Sequence, residues 1–210
     1  MSIHDLYQKM WEVIPESNVG DYRVENFTIS KEEAELYSTM ATYNRDYLGR
    51  MLRAGKFCRL MCKSEVLMSD TDAERSTNYE VIRAAHGEVL IAGLGLGLIV
   101  IPICRKKEVQ KITVVEVSEE VISLVEPHLR KFLGGDADKL EIVHSDIHEF
   151  KTSKKYNVIY FDIWNNISGD EYPETKTLHK LFSKYLIRDG TQFMDSWMRW
   201  YMKDKHFEGR

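Results

Sequence analysis

With 210 residues, 43% of them hydrophobic and 30% charged, the chain has material for one ordinary domain plus an extension, and too little for two large domains. The net charge of −4 is spread over both signs with no basic block, so composition gives no indication of a nucleic-acid partner. Cys58, Cys62 and Cys104 form neither a disulfide framework nor a zinc set, and are expected to be buried, inert thiols in a reducing compartment. The longest apolar stretch, residues 89–104, holds three glycines and a proline and is too short to cross a bilayer. No basic-then-apolar leader opens the sequence, so a soluble cytoplasmic protein is expected.

In chain order, Leu6, Met10, Trp11 and Ile14 have helical spacing over residues 3–14, until Pro15 and Gly20 break it. Residues 22–29 alternate loosely, as a strand does. Ser30 and Glu33 have capping-box spacing, which predicts a long helix ending near Gly55. Its buried face would hold Ala34, Tyr37, Met40, Tyr47, Leu48, Met51 and Leu52. Residues 57–68 read as a hairpin turning near Lys63-Ser64, and residues 72–85 as a helix leading to Gly87.

From Gly87 the pattern becomes strand and helix in alternation. Strands are predicted at 89–92, 111–116, 140–144, 157–162 and 191–196. Helices fall at 99–107, 119–132 and 173–187, with a short one between Asp146 and Lys155. The strands are apolar and β-branched, as when both faces are covered. The expected fold class is α/β: a Rossmann-like parallel sheet of about five strands, order 3-2-1-4-5, with helices on both faces. An α+β extension with the hairpin precedes it. The expected division is residues 1–70 for the extension and 71–210 for the Rossmann-like domain.

Val89-Leu90-Ile91-Ala92 runs into Gly93-Leu94-Gly95-Leu96-Gly97-Leu98, which gives a buried strand, a glycine loop and a helix. Such a loop lets a ligand approach the backbone. The next strand ends at Glu116, about 20 residues on, where a carboxylate meets the ribose hydroxyls of an adenosine ligand. A dinucleotide fingerprint requires a third glycine at Leu98. The spacing G-x-G-x-G instead favours S-adenosylmethionine, which has no pyrophosphate. Asp146, at the third strand end, is placed for the adenine amino group and the Ile147 N–H for a ring nitrogen; the alternative for Asp146 is a helix N-cap. Asp162 ends the fourth strand, where strand order reverses, and is the candidate catalytic acid or base. The expected cofactor site is therefore Gly93, Leu94, Gly95, Gly97, Glu116, Val117, Asp146, Ile147 and Asp162, with no metal. His144 is a second, weaker base candidate. Trp164, Trp197, Trp200 and Tyr201 cluster after the last strands; ordinary packing or a dimer interface is the first reading and an acceptor wall the second.

Residues 66–196 resemble class I S-adenosylmethionine-dependent methyltransferases, and within them most closely the spermidine-synthase branch. The likeness rests on Gly93-Leu94-Gly95-Leu96-Gly97, Val114-Val115-Glu116-Val117-Ser118, His144-Ser145-Asp146 and Tyr160-Phe161-Asp162, and on the hairpin that runs through Met68-Ser69-Asp70-Thr71 to Glu74. It implies that Glu116 holds the ribose, Asp146 the adenine and Asp162 the reactive region. Two positions depart from the aminopropyltransferase pattern: Met68 in place of a glutamine, and Asn165 in place of a second aspartate. The N-methyltransferase signature Asn/Asp-Pro-Pro-aromatic is also missing. Beyond the fifth strand, residues 197–210 are too few for the usual helix and strand pair. The outer sheet edge is then left to a tail, the N-terminal region or a homodimer partner.

The leading expectation is methyl transfer to a small-molecule acceptor, with Asp162 as positioning acid or base. Aminopropyl transfer from decarboxylated S-adenosylmethionine and a non-catalytic S-adenosylmethionine-binding module are the alternatives. Breakdown of the nucleoside itself has no residue to select it, and nicotinamide chemistry is disfavoured by Leu98. No membrane or nucleic-acid partner is expected.

Overall fold

A computed structural model describes residues 7–44, 49–165 and 167–208. Two sheets organise them. The first is antiparallel, in the order β1 (Ser17–Val19), β2 (Tyr22–Ile29), β3 (Gly55–Cys62), β4 (Glu65–Ser69). The second is parallel and takes its strands from β5 (Gly87–Ala92), β6 (Val109–Glu116), β7 (Leu140–His144), β8 (Val158–Phe161) and β9 (Phe193–Ser196). Their spatial order β7-β6-β5-β8-β9 is the expected 3-2-1-4-5. The connecting helices are α4 (Val100–Cys104), α5 (Glu119–Leu133) and α6 (Tyr172–Phe182), and α7 (Arg199–Glu208) closes the described chain. No described helix is long and apolar enough to cross a membrane.

Strand alternation sorts the core. Val89, Ile91, Ile112, Val114, Val158 and Tyr160 face one buried cluster with Val100, Ile103, Leu124 and Leu129 of α4 and α5. Leu90, Ala92, Val115, Ile159 and Phe161 face the other, against Leu178 and Phe182 of α6. Val89, Leu90, Ile91 and Ala92 are all fully buried, which is why β5 reads as an unbroken apolar run.

The extension packs on this core, with Met10, Ile14, Val24 and Leu60 in one cluster with Val89 and Ile91, and one carboxylate ties its segments together. Asp70, fully buried, accepts from the Met10 N–H at 2.9 Å, the Cys58 N–H at 2.6 Å and Arg75 Nη2 at 3.2 Å. Residues 7–14 form only a 3₁₀ turn at Met10–Glu12, because Met10 gives its N–H to Asp70 while Met10 and Ile14 are fully buried. Ile3 and Leu6 lie outside the described residues.

Helix α1 (Lys31–Asn44) starts with the expected box. The Glu33 N–H donates to Ser30 Oγ at 3.0 Å, and the Ser30 N–H to Glu33 Oε2 at 2.8 Å. It is shorter than predicted and followed by a 3₁₀ turn at Gly49–Met51; Tyr47 and Leu48 lie outside the described residues. Its apolar face is not covered: Tyr37 is 49% and Met40 51% exposed, and Ala41 alone is buried. Ala34, Met51 and Leu52 are half-buried.

The hairpin turns at Lys63-Ser64 as predicted. The helix predicted at 72–85 is two helices, α2 (Asp72–Thr77) and α3 (Tyr79–Ala84), broken at Asn78, whose ψ of 3° leaves the helical range. The short helix expected after Asp146 is only a turn at residues 147–149, where Asp146 Oδ1 accepts the His148 N–H at 2.8 Å and the Asp146 carbonyl accepts the Glu149 N–H at 3.1 Å. The helices predicted at 99–107 and 173–187 end early, the second continuing as a 3₁₀ turn at Ser183–Tyr185. Among the described residues nothing pairs with the outer edge of β9; α7 instead packs on α6, with Met202 fully buried and the Tyr172 and His206 rings 5.4 Å apart.

Candidate active site at the carboxyl ends of the strands

The strand order reverses between β5 and β8, and a cavity of about 420 Å³ opens there, within the roughly 300–1,000 Å³ usual for small-molecule sites. Its floor is the glycine loop. Gly95 has φ +50°, and a Cβ on it would lie 2.0 Å from Met68 Sδ. The Met68 thioether in fact accepts the Leu96 N–H at 3.0 Å, so β4 lies directly over the loop. At Gly93 the missing Cβ makes room for the Asp162 carbonyl oxygen, which it would meet at 2.0 Å. Gly97 differs. It is not in the cavity wall, and its missing Cβ admits Leu129 of α5 instead, at 2.4 Å. Gly97 thus lets α5 pack close beneath the loop.

Glu116, at the tip of β6, is only 8% exposed. Oε2 accepts the Leu94 N–H at 2.8 Å and Oε1 the Ser118 N–H at 2.9 Å. The acid thus holds the glycine loop and the start of α5 in place. Each carboxylate oxygen has a second lone pair free to meet a ribose hydroxyl. Ser118 caps α5, its Oγ accepting from the Val121 N–H at 3.1 Å. Val117, 65% exposed, lines the same end of the cavity, as do Leu94, Asp146 and Ile147. Asp146 keeps one oxygen on the His148 N–H, where it caps a turn and not the expected helix; among the described residues nothing meets its other oxygen.

At the other end stand Asp162 and Glu74. Burial pushes the Asp162 carboxyl up to about 7, and burial together with the Asp162 charge pushes Glu74 up to about 8. Asn78 sets the position of Glu74: its Nδ2 donates to the Glu74 carbonyl at 3.2 Å, while Tyr160 Oη donates to Asn78 Oδ1 at 2.9 Å. Trp164 and Trp197 complete the wall, and their indole N–H groups are taken by Glu174 at 2.6 Å and Thr77 at 3.0 Å. Trp200, 53% exposed, and Tyr201 stand outside it. His144 is also outside, its Nε2 3.0 Å from the Val117 carbonyl oxygen. Cys62 lines the cavity, against the expectation of three inert thiols; Cys58 and Cys104 are buried and pushed up to about 12. Glu74, Met68 and Asn78 complete the site. Their neighbourhood was signalled by the hairpin-to-acid segment, but Asn78 carries no signal beyond interrupting a helix.

Residues 80–207 match the spermine/spermidine synthase domain family. The chain belongs to that family. Among its relatives is polyamine aminopropyltransferase 2 of Hyperthermus butylicus, 26% identical over 177 residues, 80% of this chain and 58% of that protein. The polyamine aminopropyltransferase of Erwinia tasmaniensis is 25% identical over 189 residues, 87% of this chain and 64% of that one. The chain therefore spans about three-fifths of the length of these relatives. Among solved structures, N-methyltransferase NodS from Bradyrhizobium japonicum overlaps 56% of this chain and 64% of its own, at 15% identity and a TM-score of 0.43.

Proposed function

We propose that this chain transfers an aminopropyl group from decarboxylated S-adenosylmethionine to an amine. One observation carries the proposal. The cavity wall contains five carboxylates, Glu65, Glu74, Glu116, Asp146 and Asp162, and among the described residues no lysine, arginine or histidine. Such a wall favours a nucleoside whose tail carries only positive charge, and it has no basic side chain for the carboxylate of an intact methionine tail.

The residues suit such a ligand. Glu116 takes the ribose hydroxyls with the lone pairs left after its two backbone bonds, and Asp146 and the Ile147 N–H take the adenine edge. When bound, the sulfonium supplies an electrophilic carbon, so the chain needs no covalent nucleophile. Its own task is to align the amine and remove a proton. Asp162, poised near 7, is the acceptor of that proton, and Glu74 keeps a second acid beside it. The Trp164 and Trp197 rings, with their N–H groups engaged elsewhere, offer aromatic faces to the amine.

Methyl transfer is the second reading, favoured by Met68 and Asn165, which depart from the aminopropyltransferase pattern. Product analysis separates the two. Incubation with an amine panel and each nucleoside is expected to yield methylthioadenosine from the decarboxylated form. S-adenosylhomocysteine from the intact form would establish methyl transfer instead.

A further inference from the structure

Glu174 lies outside the cavity, in the first turn of α6, yet its two oxygens contact residues of the loops at both of the cavity's ends. Oε2 accepts the Trp164 indole N–H at 2.6 Å, and Oε1 is 2.9 Å from His148 Nε2. His148 belongs to the turn after β7, and its backbone N–H donates to Asp146 Oδ1 at 2.8 Å. Trp164 follows β8 and is 9% exposed against the cavity. One side chain therefore fixes the turn that carries the adenine-end acid and the ring that walls the acceptor end. These two loops follow different strands, and no covalent link shorter than the β7–β8 crossover joins them.

We propose that Glu174 is a positioning residue that couples the nucleoside end of the cavity to the acceptor end. Ordering of the Asp146 turn by a nucleoside orders His148, which holds Glu174, which holds the Trp164 ring in the acceptor wall. The coupling is reciprocal, as any linkage between two binding equilibria must be. It rests on the reading of this cavity as a nucleoside-plus-amine site.

The test uses the whole chain and a probe that needs no turnover. Methylthioadenosine binding is measured by calorimetry, and Trp164 fluorescence is followed against a Trp164→Phe reference. In the unsubstituted protein, methylthioadenosine binds and shifts the Trp164 signal. Glu174→Ala is expected to weaken nucleoside binding about fivefold to tenfold and to abolish that shift. His148→Ala weakens binding to a similar degree, and the double substitution adds nothing further. Glu174→Gln, of the same size, keeps an acceptor for Trp164 and offers His148 Nε2 an amide donor in place of the carboxylate, so it retains the resting Trp164 signal and restores part of the shift that Glu174→Ala loses. A merely structural role would lower the melting temperature and leave the shift intact. If the unsubstituted protein binds no methylthioadenosine, the site reading fails and the coupling with it. If it binds and Glu174→Ala and Glu174→Gln both keep the full Trp164 shift, the coupling alone is overturned.

Discussion

Replacing Asp162 by asparagine should stabilise the protein while it removes the transfer activity. The folded site raises this carboxyl from an ordinary 3.8 to about 7 through burial. At about 1.36 kcal/mol per pH unit, holding the charge in the fold costs at most about 4 kcal/mol. Water in the open cavity screens part of this, so about 2–4 kcal/mol is expected. The sign follows from proton uptake. Between pH 4 and 7 the native state binds more protons at Asp162 than the unfolded chain does, so this group's contribution to stability falls as pH rises. The asparagine variant has no such slope. Urea unfolding followed by tryptophan fluorescence at pH 8 should show it more stable by that amount. At pH 5 the gain should be less than half as large. A variant less stable than the parent at pH 8, or a gain equal at both pH values, would refute the argument that Asp162 is held as a strained, desolvated acid.

The two glycines of the loop with different neighbours should separate in experiment. Gly97→Ala drives a Cβ into Leu129 and should cost about 1–3 kcal/mol, read as a lower melting temperature. Gly95→Ala must displace Met68 over the cavity floor, and is expected to abolish nucleoside binding by calorimetry with about 1–2 kcal/mol lost from its left-handed backbone. Asp70→Ala leaves Arg75 and two backbone N–H groups without their acceptor, so a loss of about 3–5 kcal/mol in urea unfolding is expected, with early proteolysis near residue 10. Of the three thiols, Cys62 alone should react quickly with a maleimide, and a bound nucleoside should slow it; equal rates for all three would contradict the cavity assignment.

Much of the Rossmann-like half was legible because its elements are fixed by local pattern. β7 has the predicted bounds, and the glycine loop, Glu116 and Asp162 all reach one cavity. Burial of both sheet faces makes each strand a short apolar run, and turns separate the runs cleanly. The extension was less legible. The apolar spacing of residues 3–14 and 34–52 is helical in period, but the first is claimed by contacts to Asp70 and the core, and the second leaves Tyr37 and Met40 exposed. Periodicity records which residues share a face, not whether anything covers it. The turn after Asp146 shows the same limit at smaller scale, since the capping bond forms and only one turn follows it. Links such as Met68 on Leu96, Tyr160 on Asn78 and Glu174 on Trp164 join residues 28, 82 and 10 positions apart, and only the folded chain brings them together.

The account turns on a cavity walled by acids that admits an adenosyl sulfonium. Calorimetric titration of the chain with decarboxylated and intact S-adenosylmethionine under one buffer condition tests this most directly. Tighter binding of the decarboxylated form by about tenfold or more, lost in Glu116→Ala, is the expected result. Preference for the intact nucleoside, or binding of both unaffected by that substitution, would contradict it.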